Sequence, residues 1–262
     1  MRLFDTHAHY DDPKFESDYP GGAESAITES RKAGVERILC AGTRPETNAS
    51  VLKLAEEHDF IYAAIGIHPS DIRFFDSNDD ETLLKETEAL LSRPKVAALG
   101  EIGLDYHYEG TDRERQKFFF DSQMELAAKY SIPVVIHDRE AHGDSFDTVR
   151  RHPDVTGVFH CFSGSTEMSR QLVRMGYLIS FGGTVTFKNA REVKEVAAIV
   201  PDDMILIETD APYLAPSPHR GEINLSAYLP LVVNALAEIR GTTPEAIADL
   251  TYENAVRIFK IK

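Results

Sequence analysis

The sequence has few cysteines and no long apolar run. Its two cysteines, Cys40 and Cys161, are too few for the disulfide framework of a small secreted protein. No apolar stretch approaches the roughly 20 residues that cross a bilayer, so no membrane association is expected. Charged residues begin at Arg2 and Asp5, where a signal peptide would carry its apolar core. We therefore expect a reduced, cytoplasmic protein without a signal peptide.

Positive charge is also scarce. Lys and Arg number 28 against 43 Asp and Glu, which gives a formal net charge of −15. A protein that binds nucleic acid through charge alone would usually be basic. Any phosphate-bearing substrate would therefore need local cations, and bound divalent metals are the obvious source. The acidity is weak evidence by itself, because solubility explains it equally well.

Two common catalytic signatures are missing. The sequence has no Gly-x-Ser-x-Gly elbow and no Gly-Lys-Ser/Thr phosphate loop. A Cys–His dyad of Cys161 with His160 is disfavoured, because neighbouring residues on a strand face opposite sides. No linker or low-complexity segment divides the 262 residues, so we expect one barrel domain spanning residues 1–262.

Apolar segments alternate with segments of helical periodicity along the whole chain. Eight of them are predicted strands: Leu3–His7, Val35–Ala41, Ile61–Ile67, Val96–Gly100, Ile132–His137, Gly157–His160, Tyr177–Phe181 and Met204–Ile207. At this length the alternation predicts an α/β fold, a (β/α)8 TIM-type barrel. The rival is an open doubly wound sheet. A nucleotide-binding sheet would carry a glycine-rich turn after its first strand, where this chain has His7-Ala8-His9.

The helices between the strands carry recognisable start and stop signals. Predicted helices begin at Pro45, run through Phe118–Ala127, cover Asn189–Ile199 and Leu225–Ile239, and start again after Thr243. Asn189 and Thr243 are plausible N-cap residues, and Gly241 is expected to end the helix before it.

Possible metal ligands stand at the carboxyl ends of five predicted strands. They are His7, His9, Glu101, His137, His160 and Asp210. In a barrel these strand ends gather at one face, where catalytic groups are found. The strand pattern and the ligand pattern therefore agree, and together they predict a metal centre at that face.

The spacing of these residues suggests individual roles. His7 and His9 are two residues apart on a strand, so both imidazoles point the same way and can reach one ion. Glu101 is expected to be the first charged residue after its strand, and its carboxylate can bridge two cations. Asp105 can support the site from behind the ligands. Asp210 suits both metal ligation and proton transfer as a general base and acid.

Six ligands exceed the three that one catalytic zinc usually takes, so two ions sharing Glu101 are the economical arrangement. Mixed imidazole and carboxylate sets suit zinc, manganese or iron, and magnesium less readily. Paired ions stabilise the attacking and leaving oxygens of a displacement, and a metal-bound water loses its proton near neutral pH.

These motifs resemble those of the TatD family of metal-dependent hydrolases, within the amidohydrolase-like superfamily. The resemblance covers nearly the whole chain and lies in seven segments: Asp5–His9, Gly66–Pro69, Gly100–Tyr106, His137–Arg139, His160–Gly164, Glu208–Leu214 and Pro216–Gly221. It implies a TIM-type barrel with two divalent metals, which we expect to be Mg, Mn or Zn. It also implies deoxyribonuclease activity, often a 3′ to 5′ exonuclease action on single-stranded DNA.

The resemblance also implies a role for each matching residue. One metal would be held by His7, His9, Glu101 and Asp210. The other would be held by Glu101, His137 and His160. His68 would line the pocket near the substrate phosphate.

Two arginines complete the expected substrate contacts. Arg139 would be a pocket cation, and Arg220 would offset the acidic surface. A monomer and a weak oligomer both remain open.

One segment departs from the family pattern. After Arg220 and Gly221 the family usually has Lys, then Asn-Glu-Pro, whereas this chain has Glu222, Ile223, Asn224 and Leu225. The asparagine of the family pattern is kept as Asn224, but Glu222 places an anion where the family has a lysine. Polynucleotide binding is therefore expected to be weaker, or the substrate to be different.

Two alternatives follow from this departure and from the family's breadth. The first is a related metal hydrolase that cleaves a small ester, an amide or an aminoacyl-tRNA bond. Many amidohydrolases bridge their metals with a modified lysine on the fourth strand, where this chain has Glu101, which disfavours that subgroup. The second is a binding protein without catalysis, which is disfavoured because all six ligand positions are filled.

Overall fold

The computed structural model describes residues 1–261, which form eight strands joined by helices. The strands are β1 Leu3–Ala8, β2 Val35–Ala41, β3 Ile61–Ile65, β4 Val96–Asp105, β5 Val134–Arg139, β6 Gly157–Phe159, β7 Leu178–Phe181 and β8 Ile205–Ile207. Each strand pairs in parallel with the next in chain order. All eight predicted strands are therefore confirmed.

The last strand returns to the first and closes the sheet. The amide of Asp210 donates to the carbonyl of His7 at 2.9 Å, and the amide of His9 donates to the carbonyl of Ala211 at 2.7 Å. The Thr6 hydroxyl donates to the carbonyl of Ile207 at 2.9 Å. The predicted (β/α)8 barrel is confirmed, and an open sheet is excluded.

Ten α-helices surround the barrel within the described residues. They are α1 Pro13–Asp18, α2 Gly22–Lys32, α3 Pro45–Glu57, α4 Asp80–Leu90, α5 Arg113–Tyr130, α6 His142–Arg151, α7 Thr166–Arg174, α8 Arg191–Ile199, α9 Leu229–Arg240 and α10 Pro244–Ile258. Both proline starts are confirmed, and the Thr243 hydroxyl accepts from the amide of Ala246 at 3.2 Å as an N-cap. Gly241, with φ 63°, ends α9 in the left-handed conformation.

Two predicted helix starts were wrong. The helix expected from Asn189 begins at Arg191, because the intervening Ala190 has a non-helical backbone. The helix expected from Leu225 begins at Leu229, after a short 3-10 turn over Ser226–Tyr228. Leu225 itself is extended, because its amide donates to the Asn224 side chain.

The barrel interior is filled by small and medium-sized apolar side chains. One buried cluster takes residues from all eight strands, among them Phe4, Leu39 and Val135, together with Tyr252 and Phe259 near the chain's carboxyl end. Tyr252 of α10 and Phe259 just after it pack into this cluster, so the last helix covers one end of the barrel. The opposite end is left for polar residues.

Strand β4 differs from its prediction in a way that matters for the site. It was expected to stop at Gly100, but it continues to Asp105, and Glu101 therefore lies within the strand. Its pairing with β5 shifts between Leu99 and Ile102. Gly100 packs so closely on β5 that an added Cβ would lie 2.7 Å from the Cβ of Val135.

In residues 1–261, the helices are too short or too polar to traverse a bilayer.

Candidate metal centre

The six predicted ligands come together at the carboxyl end of the barrel. His7 lies in β1 and Glu101 in β4, while His137 is near the end of β5. Three others follow a strand directly or closely: His9 after β1, His160 after β6 and Asp210 after β8. Strand pleating aims the side chains into the barrel mouth, and barrel closure brings the ends of β1 and β8 together.

Four ligand atoms form the first half of the site. Nε2 of His7 lies 3.0 Å from Nε2 of His9, 3.4 Å from Oε2 of Glu101 and 3.7 Å from Oδ1 of Asp210. Nε2 of His9 lies 3.5 Å from each of these two oxygens. The four atoms thus surround one small space from four sides.

The second half uses the other oxygen of Glu101. Its Oε1 lies 2.8 Å from Nδ1 of His137 and 2.8 Å from Nε2 of His160. The two imidazole nitrogens are 3.1 Å apart. Nε2 of His68 approaches the same oxygen at 3.3 Å. Glu101 therefore turns one carboxylate oxygen to each half of the site.

This spacing fits divalent cations. Ligand atoms about 2.1 Å from one ion lie about 3.0–3.4 Å from each other in octahedral or tetrahedral geometry. By distance alone, the groups able to hold an ion are His7, His9 and Glu101 in the first half, His68, Glu101 and His137 in the second, and His7, His160 and Asp210 across the two. Nitrogen and oxygen lone pairs crowded this closely repel one another unless a proton or a metal cation lies between them.

The outer nitrogens of three histidines fix how the rings face the site. Nδ1 of His9 lies 2.8 Å from the carbonyl oxygen of Ala41, which can only accept, so this nitrogen carries the proton. Nε2 of His137 lies 3.3 Å from Oδ2 of Asp105, and Nδ1 of His160 lies 3.5 Å from Oε1 of Glu208. The contacts of His9 and His137 leave a lone pair of each ring pointing at the centre, as metal ligation requires.

His68 has the opposite arrangement. The backbone amide of Ser70 donates to Nδ1 of His68 at 3.1 Å, so this nitrogen is the acceptor. Neutral His68 must then carry its proton on Nε2, the atom that faces Glu101. His68 therefore offers the centre an N–H donor, whereas His9 and His137 offer it lone pairs.

The site favours ionised carboxylates. Burial opposes ionisation of Glu101, but His68, His160 and His7 outweigh it and hold the pKa of Glu101 well below its usual value. Burial likewise opposes ionisation of Asp210, but the contact with the His9 ring and the neighbouring imidazoles lower its pKa overall. Both groups are thus available as anionic ligands at neutral pH.

Two residues that sequence reasoning did not assign hold the Asp210 segment in place. The buried Asp5 carboxylate accepts from the Thr209 amide at 3.0 Å, the Thr209 hydroxyl at 2.6 Å and the Ser226 hydroxyl at 2.5 Å. The Asn224 side chain donates to the carbonyls of Thr209 and Tyr213, both at 2.7 Å. The only sequence signals were Asp5 heading the His-x-His motif and Asn224 surviving in a divergent segment.

The predicted substrate contacts lie around the rim. The Arg220 guanidinium sits 4.2 Å from the centre of the Phe187 ring, beside a cleft of about 750 Å³ that Tyr213 and Glu222 also line. Oε2 of Glu222 lies 2.8 Å from Nδ1 of His219. Arg139 is exposed at the end of β5, 5.7 Å from the centre of the Tyr108 ring. Neither arginine enters the cluster of ligand atoms.

A closed eight-stranded barrel with histidines and carboxylates gathered at its carboxyl end defines the class of metal-dependent hydrolase barrels. The sequence model of the TatD related DNase family matches residues 4–260. The chain belongs to this family, and it is a metal-dependent hydrolase.

Known relatives resemble this chain over nearly their full lengths. The chain is 41% identical to the uncharacterized metal-dependent hydrolase YabD of Bacillus subtilis, over 99% of both chains. It is 36% identical to the uncharacterized metal-dependent hydrolase YjjV of Escherichia coli, over 99% of this chain and 98% of that protein. The crystal structure of that TatD homolog superposes with a TM-score of 0.91, covering 100% of this chain and 99% of the other at 33% identity.

Proposed function

We propose that this protein is a divalent-metal-dependent deoxyribonuclease, acting as a 3′ to 5′ exonuclease on single-stranded DNA. The observation that carries the proposal is Glu101, whose two oxygens face two separate sets of imidazole nitrogens. One carboxylate serving two ligand sets is the arrangement that a paired-metal phosphodiesterase requires. Membership of a family described as DNases supports DNA as the substrate.

In this proposal His7, His9, Glu101 and Asp210 hold one ion, which is Mg, Mn or Zn. A second ion is held by Glu101, His137 and His160. When bound, such a pair supplies Lewis acidity and lowers the pKa of water. The protein's own contribution is to fix the ligands, because Ala41 and Asp105 orient the rings of His9 and His137.

Asp210 is assigned proton transfer. Its side chain is 16% exposed, against 4% for Glu101, so it is the carboxylate that a bound substrate can reach more easily. Its lowered pKa keeps it ionised at neutral pH. It can therefore accept a proton from water and return it to the leaving 3′ oxygen.

His68 is assigned to the phosphate. Because its Nδ1 accepts from Ser70, its Nε2 presents an N–H to the centre, where a non-bridging phosphate oxygen can accept it. The rim cations Arg139 and Arg220 are assigned to the rest of the strand, where they offset the protein's acidity.

The decisive experiment uses metal-stripped protein with single-stranded DNA labelled at either the 3′ or the 5′ end. Mg, Mn or Zn is added in turn, and Glu101→Ala is assayed in parallel. We expect stepwise shortening from the 3′ end that requires both metal and Glu101. Cleavage that is unchanged in Glu101→Ala, or internal cleavage only, would contradict the proposal.

A second candidate is a hydrolase of a small ester, an amide or an aminoacyl-tRNA bond. It is favoured by Glu222, an anion on the rim where the family usually has a lysine. Metal-dependent hydrolysis of small esters, together with inert DNA in every metal, would select this candidate.

A further inference from the structure

An alternating array of arginines and aromatic rings runs along the rim beside the metal centre. Its members, in spatial order, are Arg44, Phe74, Arg73, Tyr108 and Arg139. The guanidinium of Arg44 lies 5.7 Å from the centre of the Phe74 ring, and that of Arg73 lies 4.8 Å from the same ring. Arg73 also lies 5.5 Å from the Tyr108 ring, which Arg139 approaches at 5.7 Å.

The array follows the barrel's own order. Arg44 comes after β2, Arg73 and Phe74 after β3, Tyr108 after β4, and Arg139 ends β5. Consecutive strands thus contribute consecutive members, which form an arc over the carboxyl ends of half the barrel. A second chain of cations and rings lies near the amino ends of β1 to β4, away from the metal centre; its members are Arg2, Tyr252, Arg37, Tyr62 and Lys95.

The array is open to solvent. Phe74 is 58% exposed and Tyr108 is 47% exposed, although both are large hydrophobic side chains. Arg73 and Arg139 form no ion pair with any residue of the described chain. Two nearby carboxylates already have partners, since Asp71 pairs with Arg44 at 3.5 Å and Glu140 with His107 at 2.6 Å. Free guanidinium groups are notable on a protein of net charge −15.

Hydrogen bonds connect the array to the metal centre. The Ser70 hydroxyl donates to Oδ2 of Asp105 at 3.0 Å, and the His107 amide donates to Oδ1 at 3.0 Å. The same Asp105 carboxylate contacts the ring of His137. The loops that carry Phe74 and Tyr108 are therefore anchored to a group that orients a candidate ligand, and they keep a fixed position beside the site.

We propose that this array binds the single-stranded part of the substrate beyond the scissile phosphate, with bases stacked on Phe74 and Tyr108 and phosphates paired with Arg73 and Arg139. Aromatic rings with interleaved arginines are how proteins bind single strands without reading sequence. Paired bases of a duplex cannot reach such rings, so the array selects unpaired strands. The inference rests on the proposed function, because the occupant is the same DNA strand.

The test compares binding of a normal strand with binding of an abasic strand of the same length. Both carry phosphorothioate linkages, so that the metal-loaded protein does not degrade them, and binding is followed by fluorescence anisotropy. Wild-type protein is expected to prefer the normal strand. Phe74→Ala and Tyr108→Ala should each weaken binding of the normal strand by roughly 5- to 100-fold, with little change for the abasic strand.

Matched variants separate stacking from charge and from general damage. Tyr108→Phe keeps the ring and should bind as wild type does. Phe118→Ala removes another exposed aromatic, on the outer surface of α5, and should have no effect. Arg73→Gln should weaken binding of both strands and reduce the salt dependence of binding. Arg150→Gln, at the end of α6, should change neither.

Outcomes for the array and for the proposed function are distinguishable. The proposal would be overturned if Phe74→Ala and Tyr108→Ala weakened binding of the normal and the abasic strand equally. It would also be overturned if neither substitution weakened binding of either strand. Base-dependent binding by a wild-type protein that hydrolyses no DNA would leave the array standing and reject the nuclease.

Discussion

Oε1 of Glu101 lies 2.8 Å from Nε2 of His160, while Oε2 of the same carboxylate lies 3.4 Å from Nε2 of His7. The two oxygens thus serve the two halves of the site. Replacing one of them with an amide nitrogen turns an acceptor into a donor, which cannot ligate a cation.

Glu101→Gln should therefore lose at least one of two metal equivalents and nearly all hydrolytic activity. Metal content per chain, measured by mass spectrometry of the purified protein, checks the first part, and the nuclease assay checks the second. Glu245→Gln, on the exposed first turn of α10, is the matched control. If Glu101→Gln kept its full metal content and full activity, Glu101 would not be a ligand shared by two ions.

His68→Ala should keep both metals but lose turnover. The Ser70 amide makes His68 an N–H donor toward the centre, and removing one such donor costs about 10²–10³ in rate. Metal content and kcat are measured together, with His58→Ala as the control because His58 pairs with Glu24 on the surface. Loss of a metal equivalent would instead make His68 a ligand.

Asn224→Ala should destabilise the protein by about 1–3 kcal/mol, because it leaves the buried carbonyl of Thr209 and the half-buried carbonyl of Tyr213 without their donor. Activity should fall as well, since those carbonyls belong to Thr209 and Tyr213, on either side of Asp210. Urea unfolding measures the first effect. Asn78→Ala, on an exposed turn, should change the free energy of unfolding by less than about 0.5 kcal/mol.

Glu222→Lys should strengthen binding of single-stranded DNA roughly 2- to 5-fold at low salt and steepen its salt dependence. The change replaces an anion on the rim by a cation. Glu36→Lys makes the same change at the start of β2, at the far end of the barrel, and should have no such effect. Titrations at several salt concentrations measure both. Identical binding by the two variants would place Glu222 outside the path of the strand.

The barrel fold and the six candidate ligands could both be predicted from the sequence. Strand and helix periodicity depend on neighbouring residues, so the eight strands could be predicted from local patterns. The common direction of His7 and His9 follows from the strand pleat alone. Parallel strands in a barrel bring their carboxyl ends together, so the predicted topology alone places the six candidate ligands near one another.

How those residues are arranged could be learned only from the tertiary structure. The direction of each Glu101 oxygen and the proton position on His9 depend on partners in other strands, such as Ala41 at the end of β2. The proton position on His68 depends on the turn that brings the amide of Ser70, two residues further along, to its ring. The extension of β4 past Gly100 depends on its pairing with β5. The rim array joins side chains from four separate segments of the chain, and no local pattern records which segments become neighbours when the barrel closes.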